Sequence, residues 1–343
     1  MNETPVHGLL ARIGLCIGLA ALALLVLAVG IWGALLLALA GPGNEIVRAA
    51  LVVALCLASV AILIAVFVRR WRWRAMGAFA VLCAALIVFW TSIEPTNERD
   101  WQPDVAILPY ATFAGDLVTV HKIRNFDYTS ESDYTVAYYD KTFDLRELRS
   151  VDIVTSYWMG PAIAHVFVSF GFTGDDYLAI SIEVRKSKGK AYSTLRGFFR
   201  QYELIYVAAD ERDVIRLRTN YRGEDVYLYR TLASPGQARE RFLEYIKAMN
   251  MLHEHPRWYN EVTANCTTSI RTQRSVNQRA PWDWRMLING TADEMLYEDH
   301  AIATGGLPFT ELKSRSLINK RAHAADQDPD FSRLIREDLP QRN

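Results

Sequence analysis

The run Ile13–Ala40 contains no charged side chain, and no other feature constrains this chain more. About 20 consecutive apolar residues in a helix cover the roughly 30 Å of a bilayer's hydrocarbon. Two further runs follow. Val47–Val68 is broken only by Arg48 at its edge, and Met76–Ile93 carries Trp90 near one end, where interfacial aromatics collect. A cleaved signal peptide would be one run followed by a small-residue site. Three runs without such a site predict spans of an integral membrane protein. Residues 1–91 are read as a membrane anchor of about three transmembrane helices, 92–114 as a linker, and 115–343 as one exported domain.

The basic residues set the orientation. Arg69, Arg70, Arg72 and Arg74 fall in one short loop between the second and third runs, which the positive-inside rule assigns to the cytoplasm. The loop Gly41–Ile46 has one acid and no base, and fits the other side. Three spans then place the N-terminus in the cytoplasm and the main domain in the periplasm, the whole forming a multi-pass protein of a bacterial inner membrane.

Of 38 basic and 38 acidic residues, six and two lie before residue 92, so residues 92–343 have four excess acids. That balance gives no basic footprint for nucleic acid. The cysteines divide in the same way. Cys16, Cys56 and Cys83 sit inside apolar runs, as small packing residues do, and only Cys266 lies in the exported domain. A single thiol in an oxidising compartment makes no disulfide within the chain. It is either buried and inert or kept for reactivity.

Along the domain, Gly115–Arg124 alternates as a strand, and Asn125–Tyr139 reads as a strand or extended arm. Leu145–Trp158 holds another strand. Ile163–Phe170 and Tyr177–Arg185 form the clearest hairpin, around the turn residues Gly171–Asp176. Ser193–Leu204 reads as a helix, and Asp213–Tyr229 as a strand pair turning at Asn220–Gly223. Ser234-Pro235 opens a helix to about Leu252, with Phe242, Tyr245, Ile246 and Met249 as its apolar stripe. Further helices are expected from Trp258 onward, at Glu294–Tyr297 and at Glu311–Ala324, ahead of a polar end. Strands gathered in one half and helices in the other predict an α+β domain.

The chemistry centres on Cys266. Asn265 is a good N-cap residue, which would place Cys266, Thr267 and Thr268 in a first helical turn. There the helix dipole and free backbone N–H groups favour the thiolate, and the same N–H groups can hold an oxyanion. The partner base must be a histidine. His165 lies within a strand among apolar neighbours, either as a satisfied core residue or as that base, and His121 is the alternative. Strand parity puts Ser181 and Glu183 on a face that His165 can look across to. Glu183 is the candidate orienting group, with Ser181 as fallback. Neither a cofactor nor a metal is expected. There is no glycine-rich phosphate loop and no Gly-x-Ser-x-Gly elbow, nor any second exported cysteine or histidine pair at ligand spacing.

Several stretches together resemble the Lnb N-terminal periplasmic domain family. They are Asn125-Phe-Asp-Tyr, Tyr157-Trp158, Ala164-His165, Ile180-Ser-Ile-Glu183-Val-Arg185-Lys186, Phe198-Phe-Arg-Gln-Tyr-Glu-Leu, Arg216-Leu-Arg-Thr-Asn-Tyr-Arg-Gly and, most specific, Asn265-Cys266-Thr267-Thr268. The resemblance covers most of residues 115–325. It implies a circularly permuted papain-like (NlpC-type) fold, with Cys266 as nucleophile and His165 as general base. The family's named member moves a fatty acyl chain from a lipoprotein's diacylglyceryl group to its N-terminal amine. The expected function is therefore a cysteine acyltransferase or hydrolase whose partner is a membrane lipid or lipoprotein substrate. Two other readings stand beside it: an amidase or peptidase acting on peptidoglycan or peptides, and an envelope protein in which Cys266 is a buried packing residue.

Overall fold

The computed structural model describes residues 5–158, 160–260, 283, 285 and 289–342. It divides into two units, Met1–Pro95 with Ser193–Gln201, and Thr96–Tyr192 with Tyr202–Asn343. Each has its own core.

The first unit contains α1 (Pro5–Ala40), α2 (Glu45–Phe67) and α3 (Arg72–Ser92). Within them Arg12–Ala40, Glu45–Phe67 and Arg72–Ser92 are each long and apolar enough to cross a membrane. Asn44 starts α2 by accepting a hydrogen bond from the Val47 amide. The helices meet where α1 is small: a Cβ at Gly33 would lie 2.7 Å from Leu86 and 3.0 Å from Leu55. Such close backbone approach, rather than apolar burial alone, is how helices associate in lipid. A short excursion, Ser193–Gln201 with the helical turn α4 (Thr194–Gly197), completes this unit. Its Phe199 packs in a cluster with Leu36, Leu55 and Leu86.

The second unit is α+β. Its strands are β1 (Tyr110–Ala114), β2 (Leu117–Arg124), β3 (Asp127–Tyr128), β4 (Tyr134–Thr135), β5 (Tyr138–Asp144), β6 (Leu148–Tyr157), β7 (Ala164–Phe172), β8 (Asp176–Arg185), β9 (Glu203–Ala209) and β10 (Asp225–Arg230). Among the described residues eight of these make one sheet in the order β1-β2-β9-β8-β7-β6-β10, with β5 on β2. The β2–β9 pair is parallel and the others are antiparallel. The helices are α5 (Glu211–Arg216), α6 (Pro235–Glu254), α7 (Ala292–Glu298), α8 (Phe309–Ser316), α9 (Asn319–Ala325) and α10 (Phe331–Leu334).

Two faces of the sheet carry separate cores. On one, Phe170, Leu178, Ile180 and Ile182 pack with Phe242, Tyr245, Ile246 and Met249 of α6. That helix begins in a capping box of Ser234 and Gln237, with Pro235 behind the cap. On the other face Phe167, Ala179, Ile205 and Val207 pack with Val214 and Ile215 of α5 and with Ile318, Phe331 and Ile335.

The hairpin of β7 and β8 forms as the sequence predicts, and its turn puts Gly174 and Asp175 at φ of +82° and +57°. Four local readings do not hold. Ser193–Leu204 is not one helix: only Thr194–Gly197 is helical, and β9 begins at Glu203. Every residue of β9 is buried, so it lacks the alternation that marks a half-exposed strand. Asp213–Tyr229 is not a strand pair either. Asp210 caps α5 by accepting from the Arg212 amide, and the chain runs on through a π-helical turn, Leu217–Tyr221, before β10. Glu311–Ala324 splits into α8 and α9, with Leu317 extended between them to bridge Tyr227. Residues 110–114, assigned by sequence to the linker, form β1.

Candidate active site

The site is built on the sheet face that carries α5. The register Val168↔Ile180 places His165 and Glu183 three residues from that pair on neighbouring strands. Parity then gives His165, Ser181 and Glu183 one common face. The His165 Nε2 lies 2.7 Å from the Ser181 Oγ and 3.5 Å from the Glu183 Oε1, and the Ser181 hydroxyl donates to Glu183 at 2.7 Å. A hydroxyl has one proton, which goes to the carboxylate, so its oxygen accepts from Nε2–H. The network thus assigns the neutral ring's proton to Nε2 and its lone pair to Nδ1. The imidazole also stacks on Phe167, at 5.7 Å between centroids.

Arg218 completes the cluster. Its side chain is 4% exposed, its Nη2 donates to Glu183 at 2.8 Å, and its guanidinium lies over Phe167. Burial alone would raise the Glu183 pKa. The charge of Arg218, then that of His165, with hydrogen bonds from His165 and Ser181, outweigh burial and hold the carboxyl well below its usual range. Glu183 therefore stays ionised through neutral pH, and a half-buried carboxylate stabilises an imidazolium beside it. Beyond Arg218 lies Glu224, which accepts from Ser156, the β6 residue that pairs with His165.

The sequence-derived candidates fall into two groups. His165, Ser181 and Glu183 come together in one hydrogen-bonded cluster. Asn265, Cys266, Thr267 and Thr268 lie outside the described residues. The alternative base His121 is on β2, stacked on Tyr110 and paired with Asp140 at 2.7 Å. Two strands, β9 and β8, separate β2 from β7 in the sheet, so His121 has no part in the cluster.

Arg218 and Glu224 escaped the sequence reading. Arg-Thr-Asn-Tyr-Arg-Gly looks like turn chemistry, yet it forms a π-helical turn, a rare element often found at functional sites. A second buried polar group was missed as well. Asp293 accepts from the Tyr229 hydroxyl at 2.9 Å and pairs with Lys313 at 2.8 Å. Lys313 in turn donates to Tyr157, whose hydroxyl donates to the Gly290 carbonyl. No short motif marks this group, because its members are scattered from residue 157 to residue 313.

Comparison with known proteins gives a family match over the segment that holds this cluster. Residues 134–290 match the model of the Lnb N-terminal periplasmic domain. The matched segment holds His165, Ser181, Glu183, Arg218 and Glu224 together with Cys266. No curated protein and no solved structure matches the chain.

Proposed function

With residues 134–290 belonging to the Lnb N-terminal periplasmic domain family, we propose that the protein is a membrane-anchored periplasmic cysteine enzyme. It transfers or hydrolyses an acyl group of a lipid-linked envelope substrate. The observation that carries this reading is the Ser181–Glu183–Arg218 arrangement, which fixes the ring of His165 and keeps a carboxylate beside it. The proposed arrangement is the permuted papain-like one, a strand histidine followed in the chain by a cysteine. The three apolar helices are proposed as three spans with the N-terminus in the cytoplasm.

In the first half-reaction His165 Nδ1 takes the Cys266 thiol proton, and the thiolate attacks an ester carbonyl carbon. The tetrahedral oxyanion is held by backbone N–H groups around Asn265, Thr267 and Thr268. The C–O bond then breaks, the leaving alkoxide takes the proton from His165, and a thioester remains on Cys266. In the second half-reaction an amine or water gives its proton to His165 and attacks the thioester. The C–S bond breaks, the proton returns to sulfur, and an amide or a free acid leaves. Through both halves Glu183 stabilises the imidazolium, and Arg218 keeps Glu183 ionised.

The test is the rate of Cys266 alkylation by a small reagent across pH in the full-length protein. The reaction is expected to titrate below ~8.5, the ordinary thiol value, and His165→Ala is expected to move the midpoint back up to it. Cys266→Ala is expected to abolish turnover of a diacylglyceryl-lipopeptide while leaving the thermal midpoint unchanged. A thiol that reacts only after unfolding overturns the reading and makes Cys266 a packing residue.

A further inference from the structure

The first unit carries an apolar groove that the proposed chemistry does not use. Ala28, Ile31 and Leu35 of α1 line one side and Leu195 and Phe198 of the excursion the other, around a cavity of about 450 Å³. That volume lies in the ~300–1,000 Å³ range of small-molecule sites. Ala28 to Leu35 spans ~10 Å at 1.5 Å per residue, so the groove runs lengthwise along a candidate span.

Its floor is rigid. Trp32, Trp90 and Phe199 form a triangle of rings with centroid separations of 5.5, 6.5 and 6.4 Å. The Arg200 Nη1 ties the excursion to the end of α3 by donating to the carbonyls of Trp90 at 2.6 Å and Ile93 at 3.0 Å. Its guanidinium also lies 4.5 Å over the Trp90 ring. Those carbonyls lack helical partners, and a cation there also meets the negative end of the helix dipole.

The wall is apolar and uncovered: Leu195 is 48% exposed and Phe198 41%. In water such a patch beside an open groove is a liability. In a bilayer it is solvated by hydrocarbon, and water does not fill the space. The excursion also carries Arg196 and Arg200, cations of the kind that attract anionic headgroups at a membrane surface. A slot of hydrocarbon character with the Arg200 guanidinium over one of its lining rings, on a segment that also carries Arg196, has the chemistry of a phospholipid, an acyl chain below a phosphate. We propose that the groove holds one acyl chain of a phospholipid from the periplasmic leaflet, so that residues 193–201 are a lipid-binding foot. The proposal rests on the reading of α1 and α3 as membrane spans, and not on the chemistry of Cys266.

The experiment uses the full-length protein in nanodiscs containing a phosphatidylglycerol with a photoreactive diazirine on one acyl chain. Light-induced labels are mapped to peptides. Labelling of residues 28–35 and 195–199 is expected to exceed that at the outward-facing Val53 and Ile64 of α2 by about tenfold, equivalent to 1.4 kcal/mol. Ala28 is exposed, so Ala28→Trp fills the groove without disturbing a core, and it should bring labelling down to the α2 level. Leu195→Ala, at a second exposed position, should lower it in part. Equal labelling on both sets of positions, or a groove signal that survives Ala28→Trp, overturns the proposal. The same pattern is expected in Cys266→Ala, so a failure here is separable from a failure of the cysteine chemistry.

Discussion

The two faces of β7 and β8 are built on opposite principles. On the α6 side Val168, Phe170, Leu178, Ile180 and Ile182 are all apolar and buried. On the other side the alternate positions are His165, Phe167, Ser169, Ala179, Ser181, Glu183 and Arg185, and here buried charge is the rule. Asp152 and Glu211 are fully buried against Arg336, and Asp213 is fully buried against Arg124. The first face is held by area removed from water, roughly 25 cal/mol per Å². The second adds ion pairs to an apolar core of its own, since a buried charge is tolerated only when another satisfies it. The difference teaches where function can sit. An apolar face has nothing to ionise, whereas a paired face can keep the half-buried Glu183 charged.

Breaking a pair is the harshest test of this contrast. Arg336 is 3% exposed, donates to Asp152 and Glu211, and stacks over Tyr177. Arg336→Ala leaves Glu211 buried without a counter-charge and Asp152 with Arg342 alone, and is expected to cost about 4 kcal/mol, within the range for a broken buried pair. Thermal denaturation should show a fall of ~8–16 °C. Arg333 lies three residues away, and its partners Asp330 and Glu337 are exposed. Arg333→Ala should cost under ~1 kcal/mol, as surface pairs do. Equal losses in the two variants would break the comparison.

A smaller effect of opposite sign is expected at Glu203, on the same polar face. It is buried, paired across strands with Arg185, and contacts Arg99 at 2.8 Å and the Thr96 amide at 3.3 Å. Burial pushes its carboxyl up to about 7, against the pull of Arg99. Between the ordinary carboxylate value and 7 the folded state binds the proton more tightly than the unfolded chain does. Stability therefore rises as pH falls through that window and is lowest above 7. Glu203→Gln removes the ionisation and is expected to stabilise the fold by up to ~3 kcal/mol at pH 8, from about 1.36 kcal/mol per pKa unit. The gain should vanish near pH 4.5. A gain that does not depend on pH would show that the ionised carboxylate is not the cause.

The same contrast explains what the sequence made legible. Alternation in Leu178–Val184 and the stripe Phe242–Met249 announce an apolar face, because period alone encodes it. Ser181 and Glu183 were reachable through parity with His165. Arg218 was not, since its partners Glu183 and Glu224 follow no local spacing and its turn reads as loop chemistry. Arg336 lies in what reads as a polar end, although it closes on Asp152 from the other end of the domain. β9 was hidden for the converse reason: a strand buried on both faces has no alternation to read.

Neighbouring residues of β8 sharpen the comparison at its finest scale. Ile180 is fully buried toward α6, and Ser181 is fully buried toward the site. Ile180→Val removes one methylene and should cost about 1 kcal/mol. Ser181→Ala removes a hydroxyl bonded to both His165 and Glu183, and should cost about the same. Stability alone cannot separate them, so the readout must be chemical. Ser181 is a positioning residue: without its oxygen, His165 Nε2 loses its 2.7 Å acceptor and faces Glu183 at 3.5 Å, so the preference for the proton on Nε2 weakens. The pH midpoint of Cys266 alkylation is then expected to rise toward ~8.5, the free thiol value, and the rate at neutral pH to fall about tenfold, a modest share of what a positioned base contributes. Ser181→Thr, which keeps the hydroxyl, should restore the midpoint, and Ile180→Val should leave it unmoved. If Ser181→Ala and Ile180→Val shift the midpoint equally, the polar face acts only as scaffold and the division between the two faces carries no chemical meaning.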